Sequence, residues 1–333
     1  MKDGEAAVAP GGGSSPQRRD EGRRTGDFGQ GEHCDLRGEL CDLRGERLRA
    51  VARETRELWG DGRSEDDYFA YLEAQRERGG GRVVHLGLME GGRALASLKR
   101  YSLRLASNRG SVRGLGLGAV FTSPAVRRRG LAERLISRVL DEAQRSGAAC
   151  AVLFSDIEPD YYERLGFRRQ ESTTWSASTA DLPGEGALAL RVPASDDELV
   201  GVHQRCMLRS PVFRPWRDGE AQRFGEWKNG PYAARLLFEG EVPRGYALVA
   251  RAGETLWLGD VATDGVPSAV LFATLRALGR QASAQRVAGW LYADDVAGGP
   301  FVASPRRECV PMVRWLDPSL GDARAHFAPM DHF

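Results

Sequence analysis

Between Arg82 and Phe167 the apolar period of the chain changes repeatedly, and this succession restricts the fold more than any other feature. "RVVHLGLM" (82–89) and "RALASLKRYSL" (93–103) flank the turn Glu90-Gly91-Gly92, the pattern of a β-hairpin. "SVRGLGLGAVFT" (111–122) reads as a third strand. The period then becomes helical: Leu131, Leu135, Ile136, Val139, Leu140 and Ala143 share one face, and the stripe stops at Ser146-Gly147. "ACAVLFS" (149–155) is a short continuous apolar run, as in a buried strand, and "DYYERLGF" (160–167) is a short helix closed by Gly166. "FRRQESTTWSAS" then supplies one or two strands.

Upstream, Leu48, Val51, Ala52, Thr55, Leu58 and Trp59 fall on one helical face, ended by "GDG" (60–62). Ser64 and Asp67 have capping-box spacing, with Asp in place of the usual Glu or Gln, and open a second helix whose apolar side is Tyr68, Tyr71 and Leu72. The heptapeptide "CDLRGEL" (34–40) recurs as "CDLRGER" (41–47); one copy is expected to serve as a first strand, since a single short repeat makes no solenoid. Residues 1–33 nearly lack large apolar side chains and are expected to be disordered. The order predicts an α/β fold, an α+β arrangement around one mixed sheet, over residues 34–180. "DLPGEGA" (181–187) reads as a linker. After it, a helix capped by Ser195, strands at "ARLLFEG", "RGYALVARAG" and "ETLWLGDVAT", the helix "SAVLFATLRALGRQASA" and the strand "RVAGWLYA" repeat the architecture over 188–333 without visible sequence similarity.

A length of 333 residues with 41% hydrophobic and 28% charged residues suits two soluble domains. A net charge of +1 gives no global electrostatic reason to bind nucleic acid or a membrane. The basic stretch "PQRRDEGRRTGD" (16–27) also carries acids and has no interleaved aromatics. No apolar run approaches the roughly 18 residues of a membrane span, and the N-terminus lacks the apolar core of a secretory signal. The five cysteines match neither zinc-site nor disulfide spacing and read as reduced cytosolic thiols, so a cytoplasmic protein without a metal is expected. GxxxxGK[ST] and HExxH are absent, and Gly114, Gly116 and Gly118 do not form GxGxxG; close packing of a strand is the simpler reading.

"SPAVRRRGLAERL" (123–135) is electrostatically out of place. It sets Arg127, Arg128 and Arg129 at the mouth of a helix, the end that carries partial positive charge and favours anions. Gly130 lets a ligand approach the backbone, and Ala132 keeps the next inward position small. The residues alone support either a solvated basic turn or a cradle in which free helical N–H groups and arginines surround a pyrophosphate.

Taken with its neighbours, the segment resembles the GNAT superfamily of acyl-CoA-dependent N-acyltransferases. The residues that carry the likeness are Val120-Phe121-Thr122-Ser123-Pro124, the Q/R-x-x-G-x-G/A motif as Arg127 to Ala132, and Tyr161-Tyr162-Glu163-Arg164-Leu165-Gly166-Phe167. The resemblance implies a GNAT catalytic domain at 34–180 and a degenerate GNAT-like domain at 188–333. It implies that acetyl-CoA is the co-substrate and a primary amine the acceptor. The main chain of Val120, Phe121 and Thr122 would hold the pantetheine. Arg127, Arg128, Arg129, Gly130, Leu131, Ala132 and Glu133 would surround the pyrophosphate, and Ser155 and Asp156 would border the acyl-CoA. Tyr162 occupies the position of the family's proton donor to the CoA thiolate; Tyr161 is the neighbouring alternative. A positioned phenol suffices for a thiolate leaving group.

The whole chain is also similar to the two-domain enzymes related to the enhanced-intracellular-survival acetyltransferases, in its R-R-R-G motif, degenerate second half and final Phe333. In some of these a C-terminal carboxylate acts as base, a role that would fall to Phe333 or its neighbours Asp331 and His332. Asp156, Glu158, His85 and Glu90 are further candidates near the expected cleft. The chain is shorter than that group, without room for their third, sterol-carrier-like domain, so their aminoglycoside or polyamine acceptors do not carry over; a homo-oligomer is compatible with the likeness. The second half has no phosphate cradle, and Asp260 and Asp264 would repel one. The competing class is a non-catalytic acyl-CoA-binding regulatory module. A Fem-type aminoacyl transferase would not need the motif at Arg127 to Ala132.

Overall fold

The computed structural model describes residues 38–333; the expected disordered tail lies outside them. The first half runs β1 (Glu39–Asp42), α1 (Gly45–Trp59), α2 (Glu65–Arg78), β2 (Val83–Glu90), β3 (Arg93–Ser107), β4 (Gly110–Thr122), α3 (Leu131–Arg145), β5 (Cys150–Ser155), α4 (Asp160–Glu163) and β6 (Arg168–Arg169). It continues with β7 (Thr173–Ser178), β8 (Ala189–Arg191), α5 (Asp196–Met207), β9 (Arg214–Pro215), α6 (Gly219–Asn229), β10 (Ala233–Glu239), β11 (Val242–Ala252) and β12 (Thr255–Thr263). The last elements are α7 (Ser268–Gln281), β13 (Arg286–Gly289), α8 (Ala293–Val296), β14 (Val302–Pro305) and β15 (Val310–Trp315). Among the described residues no helix is long and apolar enough to cross a membrane.

Local chemistry sets the helix boundaries. Ser64 accepts a hydrogen bond from the Asp67 amide and opens α2, and Ser195 does the same for Glu198 at α5. In α1, Leu48, Val51, Ala52 and Thr55 are buried as the stripe requires, but Leu58 is exposed. In α3, Leu131, Leu135, Ile136, Val139 and Leu140 are buried against Leu98, Leu115 and Leu117 of the sheet. Burying five such side chains stabilises on the order of 10 kcal/mol before the entropy of ordering them.

Two mixed sheets result. The first has the order β1-β2-β3-β4-β5-β15-β6, with β9 added to β3; the second has the order β14-β7-β13-β12-β11-β10-β8. The expected boundary at 181–187 is therefore not where the sheets divide. β7, read as the end of the first unit, pairs with β13 and β14 of the second sheet. β15, from the far end of the chain, lies antiparallel to β5 in the first. The edge of the buried strand β5 needs a partner, and β15 supplies one with Met312 and Val313 fully buried.

The segment after β15 then passes between the halves. Phe327 packs with Leu105, Val152, Phe213 and Val313 on the face of the first sheet opposite α3. Asp331 is fixed by Arg217, which also pairs with Asp260; Arg214 is the second arginine on Asp260, at 3.1 Å. Asp260 is thus a buried structural acid, not a charge presented to a phosphate site as the sequence suggested.

Candidate active site

Residues 123–131 adopt the conformation of an open helix mouth. After a single 3₁₀ turn at Pro124–Val126 the backbone is left-handed at Arg128 (φ 65°) and Gly130 (φ 71°), and α3 starts at Leu131. The first intrahelical bond runs from Arg134 N to Gly130 O at 3.0 Å. The N–H groups of Leu131, Ala132 and Glu133 precede it, and no side chain caps them. A β-carbon at Gly130 would meet open space. Arg127, Arg128 and Arg129 are exposed. Arg127 Nε donates to Thr122 O at 3.2 Å and ties the loop to the end of β4. The Leu131 side chain lies in the core, leaving only its amide at the helix mouth.

A slot leads away from this mouth. β4 and β5 are parallel neighbours from Gly114↔Cys150 to Leu117↔Leu153, and the pairing stops there. Beyond it β5 remains on β15 as far as Ser155↔Val310. β4 remains on β3, but Gly118 pairs with Lys99 and Phe121 with Ser97, so Ala119 and Val120 together oppose Leu98. This is a β-bulge, with Ala119 at a left-handed φ of 47°. The bulge bends β4 away from β5 and leaves Gly118–Thr122 unpaired along the slot. An extended arm of a ligand fits there as an added strand.

Tyr162 is buried beside the slot, edge-on to Tyr161 (5.0 Å between ring centroids) and Phe167 (6.1 Å). Burial pushes its phenol well above the usual value, so it stays protonated. Its hydroxyl has no hydrogen-bond partner among the described residues. Tyr161 is half-buried and shifted in the same direction. At the slot's other lip, Ser155 Oγ donates to Ile157 O (2.8 Å), and Asp156 Oδ1 accepts from Cys309 N (2.9 Å). Both side chains shape the turn after β5.

Phe333 enters from the second half. Its ring lies over Gly116, stacks on Tyr101 at 4.8 Å and meets Phe154 edge-on at 5.1 Å. A β-carbon at Gly118 would lie 3.2 Å from Phe333 O. Gly116 and Gly118 of β4 are thus the seat of this residue. Carbonyl oxygens of the strap, the segment from Phe327 to Phe333, are held from α6: Asn229 Nδ2 donates to Met330 O (2.7 Å), and Lys228 Nζ to His332 O (3.1 Å).

The other candidate bases divide. Asp331 is committed to Arg217 Nη1 at 3.2 Å and the Ala328 amide at 2.9 Å; burial lifts it to about 6. Asp260, held by two arginines, is lowered. His332 is edge-on to Phe154 and is pushed down to about 4 by burial. His85 is buried and lowered to about 3, chiefly by burial and then by Lys99. Glu90 and Glu158 are exposed. No cluster of potential metal ligands occurs among the described residues.

Residues 46–169 match the model of the acetyltransferase (GNAT) domain. The chain carries a GNAT domain. Solved structures extend the likeness over both halves. A GCN5-related N-acetyltransferase from Anabaena variabilis is 16% identical with a TM-score of 0.65, covering 86% of this chain and 75% of that chain. One from Kribbella flavida is 21% identical with a TM-score of 0.62, covering 86% and 73%. Eis1 from Mycobacterium abscessus is 18% identical with a TM-score of 0.60, covering 84% and 74%. At these identities the likeness is one of fold, a two-domain GNAT layout resembling Eis1. No curated protein sequence matches the chain.

Three features of the site were not singled out from the sequence: Lys99, the Lys228–Asn229 clamp and the Arg217 network. Lys99 had a signal, since "SLKRY" lies within a strand that is apolar on both faces.

Proposed function

We propose that the chain is an acetyl-CoA-dependent N-acetyltransferase acting in the cytoplasm, in which a primary amine attacks the thioester directly in a ternary complex. The observation that carries this reading is the alignment of the β4–β5 slot with the open N–H groups at the start of α3. The α3 amides, with Arg128 and Arg129, would take the pyrophosphate, whose charge complements both the arginines and the helix dipole. The main chain of Val120 to Thr122 would pair with the pantetheine, and Ser155 and Asp156 would close the slot. When bound, acetyl-CoA supplies the activated acyl group.

The remaining chemistry falls to side chains of this molecule. The attacking amine loses a proton, the C–N bond forms, and the C–S bond breaks as the thiolate leaves. Tyr162, kept neutral by burial, would protonate that thiolate. Phe333, with its main-chain carbonyl at the bulge, would accept the amine's proton through a terminal carboxylate. The second half completes the acceptor side by delivering the strap that ends in Phe333.

The test is release of CoA thiol from acetyl-CoA by the purified chain over an amine panel, alongside calorimetric acetyl-CoA titration. Amine-dependent release with mass-detected N-acetyl product is expected. Binding without turnover would instead favour the non-catalytic module, and absence of binding would sink both readings.

A further inference from the structure

The peptide plane that leads into Phe333 is fixed from the second half. His332 O accepts from Asn229 Nδ2 and from Lys228 Nζ, each at 3.1 Å. His332 O and Phe333 N belong to one rigid peptide unit, so these two donors set the direction in which the chain enters Phe333. Asn229 Nδ2 also donates to Met330 O at 2.7 Å, and Asn229 Oδ1 accepts from Lys228 Nζ at 3.2 Å. One side chain thus holds two strap carbonyls and orients the lysine that shares the second. A carboxamide supplies both donors and the acceptor at one point; an aspartate has its shape and no donor.

Phe333 has no polar hold of its own. Among the described residues neither its amide nor its carbonyl makes a hydrogen bond. Its ring is seated by apolar contact over Gly116 and against Tyr101 and Phe154. Such contacts fix where the ring lies, not which way the main chain turns from it. Upstream, Asp331 closes the 3₁₀ turn Pro329–Asp331 by accepting from the Ala328 amide, and pairs with Arg217. Past that turn, the bonds on His332 O are the last that the strap makes among the described residues.

The clamp is itself anchored to the first half. Asp218 caps α6 by accepting from the Ala221 amide (2.9 Å) and pairs with Arg82 (2.8 Å), which also takes Glu220 (3.1 Å). Near the other end of α6, Trp227 lies on Tyr71 of α2, with 5.6 Å between ring centroids. Gly225 lets the strap approach between these ties, since a β-carbon there would lie 2.7 Å from Met330 Cε. The clamp on α6 and the seat on β4 therefore keep a fixed separation. A base needs that constancy to meet the amine within hydrogen-bond reach. We propose that Asn229 is the positioning residue for Phe333: without touching substrate, it fixes the orientation of the terminal carboxylate. This rests on the acyltransferase reading above, in which Phe333 takes the amine's proton, and adds the side chain that aims it.

The experiment compares the full chain, Asn229→Asp, the chain shortened by Phe333, and the shortened chain carrying Asn229→Asp; Asn229→Ala is the second variant, with the same expected outcomes. Unchanged acetyl-CoA affinity and a single cooperative melt show that each folds. With an amine that the full chain acetylates, Asn229→Asp should lower kcat by about 10–100-fold and leave the KM for acetyl-CoA unchanged. Removing Phe333 should lower kcat at least as far, and Asn229→Asp should then bring no further loss, because nothing is left to position. A second readout needs no turnover: carboxypeptidase A should release Phe333 from Asn229→Asp faster than from the parent by about fivefold or more, in step with opening of the strap. Parental turnover in Asn229→Asp, an equal further loss in the shortened chain, or unchanged release of Phe333 overturns the inference and leaves the acyltransferase reading standing. A shortened chain as active as the parent removes the role of Phe333 and the inference with it, but not acetyl transfer. A parent that acetylates no amine removes the reading and the inference together.

Discussion

Phe333 lies so close over Gly116 that any β-carbon at residue 116 would collide with its ring. The contact joins the last residue of the strap to the middle of β4, three residues before the strand bends at Ala119. Two of the three alternating glycines, Gly116 and Gly118, follow from it. Gly114 leaves room for Cys150 Sγ, while Gly116 and Gly118 leave room for Phe333.

Gly116→Val therefore evicts the Phe333 ring. Overpacking of this kind costs about 1–3 kcal/mol, measurable by urea denaturation. Acetyl transfer should fall much more than acetyl-CoA affinity, because the cradle at Gly130 is remote in sequence and lies on α3. A variant with the parent's turnover would show that Phe333 serves packing alone.

The sequence made these elements legible because they are local: caps at Ser64 and Ser195, the α3 stripe and the hairpin at Glu90-Gly91-Gly92 each depend on neighbours within a few residues. The exchange of β7 and β15 was not legible. Thr173–Ser178 reads as a strand of the sheet nearest in sequence and Val310–Trp315 is given no element, and only the edges of β13 and β5 decide where they pair. The arginine motif was ambiguous alone and reads as a cradle only through its place between two strands. Asp260 and Asp331 misled, because an acid's role depends on Arg214 and Arg217, which no spacing rule connects to them.

Gly130→Glu tests the cradle. The residue has φ 71° and open space beyond its α-carbon, so the side chain fits, at a cost of about 1–2 kcal/mol for left-handed backbone. Its carboxylate would stand where the α3 amides are to meet an anion. Acetyl-CoA binding by calorimetry should be lost while circular dichroism and a single cooperative melt persist. Retained affinity would return Arg127, Arg128 and Arg129 to a solvated turn.

Tyr162→Phe tests the proton donor. The substitution keeps the ring that packs on Tyr161 and Phe167 and removes only the hydroxyl. Turnover should drop by about 10²–10⁴ with acetyl-CoA affinity unchanged. Burial holds the phenol above its ordinary value of 10.0, so the parent should show no loss of activity from a donor ionising below about pH 10. Equal turnover in Tyr162→Phe would pass the role to Tyr161, testable by the matching variant.

The buried ammonium groups of Lys99 and Lys228 predict a stability that rises with pH. In the unfolded chain Lys99 titrates at 10.5, while in the fold burial lowers it to about 7, and Lys228 moves the same way to about 8. Between those values the unfolded chain binds more protons, so the unfolding free energy increases with pH; the gain is complete above 10.5 and is lost as pH falls through 7. Cys150, Cys206 and Cys309, which burial pushes up to about 12, act in the opposite direction once unfolded thiols ionise near 9.0. The buried histidines His85, His326 and His332 are lowered below the unfolded value of 6.5, and so change protonation mostly below that pH. The lysines are therefore read between about pH 7 and 9, where Lys99 alone contributes on the order of 2 kcal/mol. Urea denaturation of the parent across that window should show the rise, and Lys99→Met should flatten it to the part due to Lys228. A flat parent profile would mean that both ammonium groups are already paired.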